Sequence, residues 1–288
     1  MTLGKLNGLH NEPGEIIQLI MPDPARAFAG RAARLRALAP GHAMGPFLEA
    51  MAHLADAQHV ACDAELGRPP GVASQPGVAP ADGSPGDAAP WIVALRKIVG
   101  AMQRVSLPEP TLAVLKGLAS ATAAQLEILA QALLARDHGQ IDAAAATFVG
   151  AALQVHWTAL ASARPPGESD CMGNACPVCG SPPVAGLVQS GRQLRYLACS
   201  LCAAQWYHPR LACTACDATA ELSYFKIEGR AAGVRAEACR RCRSYLKLFY
   251  LEVDPGADPC ADDLATIALD LLMAGKGYCR NGVNLFIR

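Results

Sequence analysis

Apolar residues recur at helical spacing from Asp23 to about Ala163. In "DPARAFAGRAARLRALA", Asp23 is placed to cap a helix, Pro24 fits its first turn, and Phe28, Leu35 and Leu38 fall at roughly helical intervals. "GPFLEAMAHLADAQHVACDAEL" repeats the pattern with Phe47, Met51, Leu54 and Leu66, and segments 91–105, 111–135 and 141–163 follow, each rich in Ala, Leu and Val. The spacing predicts a helical bundle. Residues 67–90 interrupt it: 11 of these 24 are Gly or Pro, which stops helix or strand from propagating and predicts a loop between helices. A shorter break, "RPPGESD" at 164–170, marks a sharper change, since all but one of the twelve cysteines lie beyond it.

Past that break the period shortens. "PVAGLVQ", a turn at Ser190 and Gly191, and "RQLRYLA" read as a hairpin between two cysteine pairs. The layout recurs from Glu221 to Ile227, through Gly229 and Gly233, to Val234 and a further pair, which predicts a duplication of about 40 residues. A last helix is expected in "CADDLATIALDLLMAGKG", capped by Asp258, opened by Pro259 and stopped at Gly275. Its packed face is expected to carry Leu264, Ile267, Ala268, Leu271 and Leu272.

Composition narrows the class. The chain has 288 residues, 52% hydrophobic, with 25 basic and 25 acidic side chains and a net charge of zero, so the basic surplus that phosphate binding calls for is missing. The opening residues "MTLGKLNGLHNEPGEI" lack the basic stretch and apolar run of a secretory signal, so a cytoplasmic protein with reduced cysteines is expected. The longest stretch without ionic groups, 143–163, is mostly alanine and carries Gln154 and His156, and it reads as a packed helix rather than a membrane span.

Cys176, Cys179, Cys199, Cys202, Cys213, Cys216, Cys239 and Cys242 form four C-x2-C pairs separated by 19, 10 and 22 residues. A C-x2-C turn points two thiolates at one centre, and two such turns complete a tetrahedral four-thiolate site. Pairing first with second and third with fourth lets each hairpin close its own site; a cross-braced arrangement would leave the hairpins without a role. Disulfides are disfavoured in a reducing compartment. A reactive dithiol would need a helix N-terminus beside it, and these pairs sit between short strands. Four thiolates serve zinc and iron alike. "CPVCG" has the form of an iron-binding rubredoxin turn, whereas "CSLCA", "CTACD" and "CRRCR" lack its trailing glycine.

With four cysteines available to each metal, His208 reads as a surface or packing residue, and Cys62, Cys171, Cys260 and Cys279 read as free thiols. Arg240, Arg241 and Arg243, with Trp206 and Tyr207, are expected to be exposed and to serve as anchors for an acidic partner. No glycine-rich phosphate loop and no supported nucleophile-base arrangement is found, so catalysis is not expected. A zinc-ribbon nucleic-acid binder and a small iron electron carrier are the competing functions; charge neutrality and the acidic last helix argue against the first.

Taken together, "CPVCGSPPVAG", "LACSLCAAQWYHPRLACTAC", "EACRRCRSYLKLFY" and "DDLATIALDLLMAGKGYCRNGVNLF" resemble the formate dehydrogenase accessory protein family FdhE, most specifically across about residues 174–286. The resemblance implies an N-terminal helical bundle (1–165), two consecutive rubredoxin-like, or zinc-ribbon-like, metal modules (171–210 and 211–255), and a C-terminal helix and tail (256–288). It also implies a cytoplasmic maturation protein without enzymatic activity, whose partner is the catalytic subunit of respiratory formate dehydrogenase before export. It favours iron, two per chain, with zinc at one or both sites as the alternative, and it assigns the ligand role to the eight paired cysteines.

Overall fold

Asp23 accepts a hydrogen bond from the Ala25 N–H and Pro24 occupies the first turn, so α1 (Pro24–Leu38) starts where the sequence indicates. Phe28, Ala32 and Leu35 on its inner face are buried. In this computed structural model, residues 16–66, 89–136, 142–164, 173–229 and 233–287 are described. Most of the Gly/Pro-rich loop expected over 67–90, the break after Arg164 and Cys171 lie outside them. The bundle continues with α2 (Gly45–Leu66), α3 (Pro90–Met102), α4 (Glu109–Ser120), α5 (Ala123–Leu134) and α6 (Ala143–Ser162). The segment read as one helix over 111–135 is two, because Thr122 and Gln125 form a reciprocal capping box that starts α5 afresh. Asp142 caps α6, which packs against each of α1 to α5. By length and composition α6 alone among the described helices could cross a membrane, yet 78% of its most apolar window is buried inside the molecule.

The strands form a single sheet. β1 (Leu19–Ile20), β2 (Pro183–Val188), β3 (Arg195–Cys199), β4 (Gln205–Tyr207), β5 (Leu222–Phe225), β6 (Val234–Cys239) and β7 (Ser244–Tyr250) lie in the order β1-β4-β3-β2-β7-β6-β5, and β8 (Cys279–Arg280) pairs with the start of β7. The expected duplication is visible in this order. Two antiparallel three-stranded units, β4-β3-β2 and β7-β6-β5, meet where β2 and β7 run parallel, with Gly186 opposite Leu248. A Cβ at Gly186 would stand 2.6 Å from Leu248 Cδ2, so the missing side chain permits that approach. The N-terminal strand β1, which the periodicity does not announce, pairs with β4 and covers the other edge of the first unit.

The C-terminal helix departs from expectation. It divides into α7 (Pro259–Ala265) and α8 (Ile267–Gly275) around Thr266, at φ −112° and ψ 25°. Lys247 Nζ donates to the Asp263 carbonyl at 2.7 Å, the acceptor that residue 267 would use in an unbroken helix, and to Thr266 Oγ1 at 3.1 Å. The helical phase therefore resets. Leu269 and Met273 pack on Ala236, Ala238 and Tyr245, whereas Ala268 is exposed, Leu271 is 71% exposed and Leu272 52% exposed.

Buried charges join the layers. Asp262 takes Arg34 of α1 in a two-pronged pair at 2.9 and 2.6 Å, while Asp263 faces Lys247 Nζ at 2.8 Å and also pairs with Arg280. The acidity of "CADDLA" is thus internal and says nothing about the charge of the surface.

Candidate metal centres

Each C-x2-C turn closes through its own backbone. The N–H of Cys176, Cys199 and Cys213 donates to the carbonyl five residues on, at Ser181, Ala204 and Ala218, and the N–H of Arg243 donates back to Cys239. At the position after the second cysteine, φ is +74° at Gly180, +59° at Ala203, +56° at Asp217 and +58° at Arg243. All four turns therefore share the left-handed residue that glycine adopts without strain. The three missing glycines leave the backbone path unchanged, so the glycine pattern does not distinguish one turn from another.

These turns bring the eight thiols together as two consecutive sets. Cys176, Cys179, Cys199 and Cys202 form the first; Cys213, Cys216, Cys239 and Cys242 form the second, and within each set the sulfurs lie within 4.8 Å of one another. Sulfur separations are 3.6 Å for Cys176 and Cys202, 3.4 Å for Cys179 and Cys199, 3.7 Å for Cys213 and Cys242, and 3.8 Å for Cys216 and Cys239. A regular tetrahedron of sulfurs about 2.3 Å from a central ion has edges of about 3.8 Å, so both sets could hold a metal ion. The cross-braced arrangement is excluded.

Ionisation follows the same logic. Hydrogen bonds from Cys176, then Cys199 and Cys202, hold the Cys179 thiol far below its ordinary range, while burial drives Cys199 well above it. Burial of Cys199 opposes its ionisation until a cation compensates it. In the second set burial pushes Cys213 up to about 12; at Cys242 burial, the largest single influence, is outweighed only by the sum of hydrogen bonds from the Ser244 hydroxyl, 2.9 Å away, the Ser244 backbone, Cys216 and Cys213, and the thiol falls to about 7.

The surroundings differ. All four cysteines of the first site are buried within the hydrophobic cluster that includes the bundle. Its loops are gripped from the bundle: Gln154 Nε2 donates to the Ser200 carbonyl at 2.7 Å, and Arg164 Nη1 to the Val178 carbonyl at 3.1 Å. Gln154 is held in turn, its Oε1 accepting from Arg31 at 3.1 Å and Gln58 at 3.0 Å. Composition hid these roles, although a glutamine interrupting an alanine-rich helix is the signal that could have found one of them. At the second site Cys242 is exposed and Cys216 half-buried. Its support is the tail: Asn281 Nδ2 donates to the Thr214 carbonyl at 2.9 Å, and Arg243 donates to the Lys276 carbonyl at 2.7 Å.

The other expected residues divide. His208 lies outside both sulfur sets and is buried between Arg195 Nη2 at 2.7 Å and Asn174 Oδ1 at 3.0 Å. It belongs to a polar bridge in which Arg195, from the first unit, pairs with Glu237 of the second, whose other oxygen accepts from the Tyr224 hydroxyl at 2.9 Å. Cys62 and Cys260 are buried and Cys279 is exposed, each outside the two sets. Trp206 corrects the expectation of an exposed anchor: with β4 flanked by β1 and β3 it is 1% exposed, and its Nε1 donates to the Gly173 carbonyl. Tyr207 is half-buried edge-on against Tyr196; Arg240, Arg241 and Arg243 are exposed as expected.

Comparisons with known proteins cover nearly the whole chain. Family models described as FdhE, N-terminal, FdhE, central domain and FdhE, C-terminal domain match residues 16–171, 175–210 and 211–287. A protein named as an FdhE homolog from Edwardsiella ictaluri is 39% identical over 95% of this chain and 92% of its own length; one from Proteus mirabilis is 36% identical over 96% and 94%. The crystal structure of the FdhE protein from Pseudomonas aeruginosa superposes with a TM-score of 0.81 at 34% identity, covering 94% of this chain and 98% of that one. With the helical region, the sheet and both four-cysteine sets falling inside these matches, the chain belongs to the FdhE family of accessory proteins.

Proposed function

We propose that the protein is a non-catalytic maturation factor that binds the catalytic subunit of a respiratory formate dehydrogenase in the cytoplasm, before export, and supports its assembly or redox state. The observation that carries this reading is the pair of four-thiol sets, with metal-sized spacing, on a chain that matches the accessory family over nearly its whole length. Each set takes one metal ion, with Cys176, Cys179, Cys199 and Cys202 holding the first and Cys213, Cys216, Cys239 and Cys242 the second. Iron is favoured by the family resemblance, and it would supply one-electron chemistry; zinc would supply shape alone. The chain's own part is to fix the four turns and, through them, the surface around the second site.

Two experiments test it. Metal analysis and an absorption spectrum of anaerobically purified protein should give two irons per chain; a colourless protein with two zincs would remove the redox half of the proposal. Pull-down of the immature catalytic subunit should succeed with the full chain and weaken when Cys239 is replaced by serine, because recognition is placed on metal-held turns. Undiminished capture by a fragment ending near Ala163 would assign recognition to the bundle instead.

A further inference from the structure

Three exposed arginines occupy the last C-x2-C turn. Arg240, Arg241 and Arg243 flank exposed Cys242 along the chain, and the Arg243 guanidinium lies over the Tyr278 ring at 4.1 Å while donating to the Lys276 carbonyl. Lys276 extends the cluster, its ammonium 5.6 Å from the centre of the Phe225 ring. Among the described residues no carboxylate forms an ion pair with any of the four. Asp270, the acid on the neighbouring helix, is taken up by Lys247 and the Tyr245 hydroxyl at 2.7 Å each. On α8, which leads into Lys276, two aliphatic side chains are exposed. Leu272 stands one helical turn before Lys276 and on the same flank, and Leu271, 71% exposed, points away from the sheet.

We infer that this face, formed by Leu271, Leu272, Lys276, Arg240, Arg241 and Arg243, docks an acidic segment carrying aliphatic side chains on the catalytic subunit that the protein matures. The inference rests on the proposed function above and gives that function an address. Four uncompensated cations call for an anionic occupant, and adjacent leucines call for one with apolar groups. A nucleic acid would meet the charge but not the leucines. It would also find the aromatic rings unavailable for stacking, since Arg243 covers Tyr278 and Lys276 covers Phe225. Because exposed Cys242 sits on the same turn as the three arginines, the second site lies at this docking face.

The test uses full-length, metal-loaded protein and the purified catalytic subunit. Leu271→Ser with Leu272→Ser, and separately Arg240→Glu with Arg241→Glu, should each weaken binding by about tenfold or more, and binding should weaken with added salt for the leucine pair as for the unaltered protein. Val60→Ser with Ile128→Ser, which removes exposed apolar side chains of the bundle, should leave binding unchanged. Metal content is measured throughout; should the arginine pair lose metal, the leucine pair, which lies outside the turn, decides. Binding that is intact in both patch variants would overturn the docking face while keeping the partner. No binding by the unaltered protein would overturn both. Tight binding of single-stranded RNA, lost in the arginine variant, would replace the protein occupant with a nucleic acid.

Discussion

The two four-thiol sites share one backbone turn and have opposite surroundings. At the first, every cysteine is buried, and Gln154 and Arg164 fix the loops from the bundle. At the second, Cys242 reaches solvent, and the loops are fixed by Asn281 and by the contact between Arg243 and Lys276. Local sequence determines how the four sulfurs converge; the elements packed around them determine what each set contributes. A closed site inside the core joins bundle to sheet, whereas a rim site shapes a surface.

That contrast should be plainest in stability. Cys179→Ser opens a site embedded in the main core and should lower unfolding stability by more than about 4 kcal/mol, whereas Cys242→Ser should lower it by less than about 2 kcal/mol, both read by denaturant titration. Each variant should release about one metal equivalent. Equal losses of stability would break the comparison.

A smaller effect is expected from the ionic layer beneath the second unit. Asp263→Asn leaves Lys247 and Arg280 short of a buried counter-charge and should cost about 3 kcal/mol. Burial acts to raise the Asp263 pKa, but Lys247 and Arg280 hold it below the usual carboxylate range. Its contribution is therefore complete above pH about 4 and is lost as the pH falls through the depressed value, a limb that Asp263→Asn should flatten in a stability-against-pH curve.

The finest distinction lies in the loop supports. Gln154→Leu should cost about 2 kcal/mol and speed metal loss from the first site alone, since it frees the Ser200 carbonyl and strips a partner from buried Arg31. Asn281→Ala should cost about 1 kcal/mol and speed loss from the second alone. Crossed effects, with either variant altering the remote site, would show that the sheet couples the two.

Much of this was legible in the chain. The C-x2-C spacing and the hairpins between pairs contain the grouping of the thiols, because a four-residue turn and a short hairpin are local structures. What escaped was long-range. Nothing near Thr266 shows that Lys247, 19 residues earlier, takes a carbonyl of the last helix and turns Leu271 and Leu272 outward. Trp206 reads as an anchor until β1, from the far end of the chain, closes the edge beside it. Gln154 and His156 were visible as interruptions of an apolar helix, but the partner of Gln154 is a carbonyl 46 residues on. Charge was similarly misleading: Asp262 and Asp263 count toward an acidic helix in composition and are consumed by Arg34, Lys247 and Arg280 in the fold.

The inequality of the sites is tested most directly by challenging the zinc-loaded full chain with a coloured chelator and following release in time. Two phases of one equivalent each are expected, with Cys242→Ser abolishing the fast phase and Cys179→Ser the slow one. A single phase of two equivalents, or a fast phase that survives in Cys242→Ser and vanishes in Cys179→Ser, would contradict the assignment of a core site and a rim site.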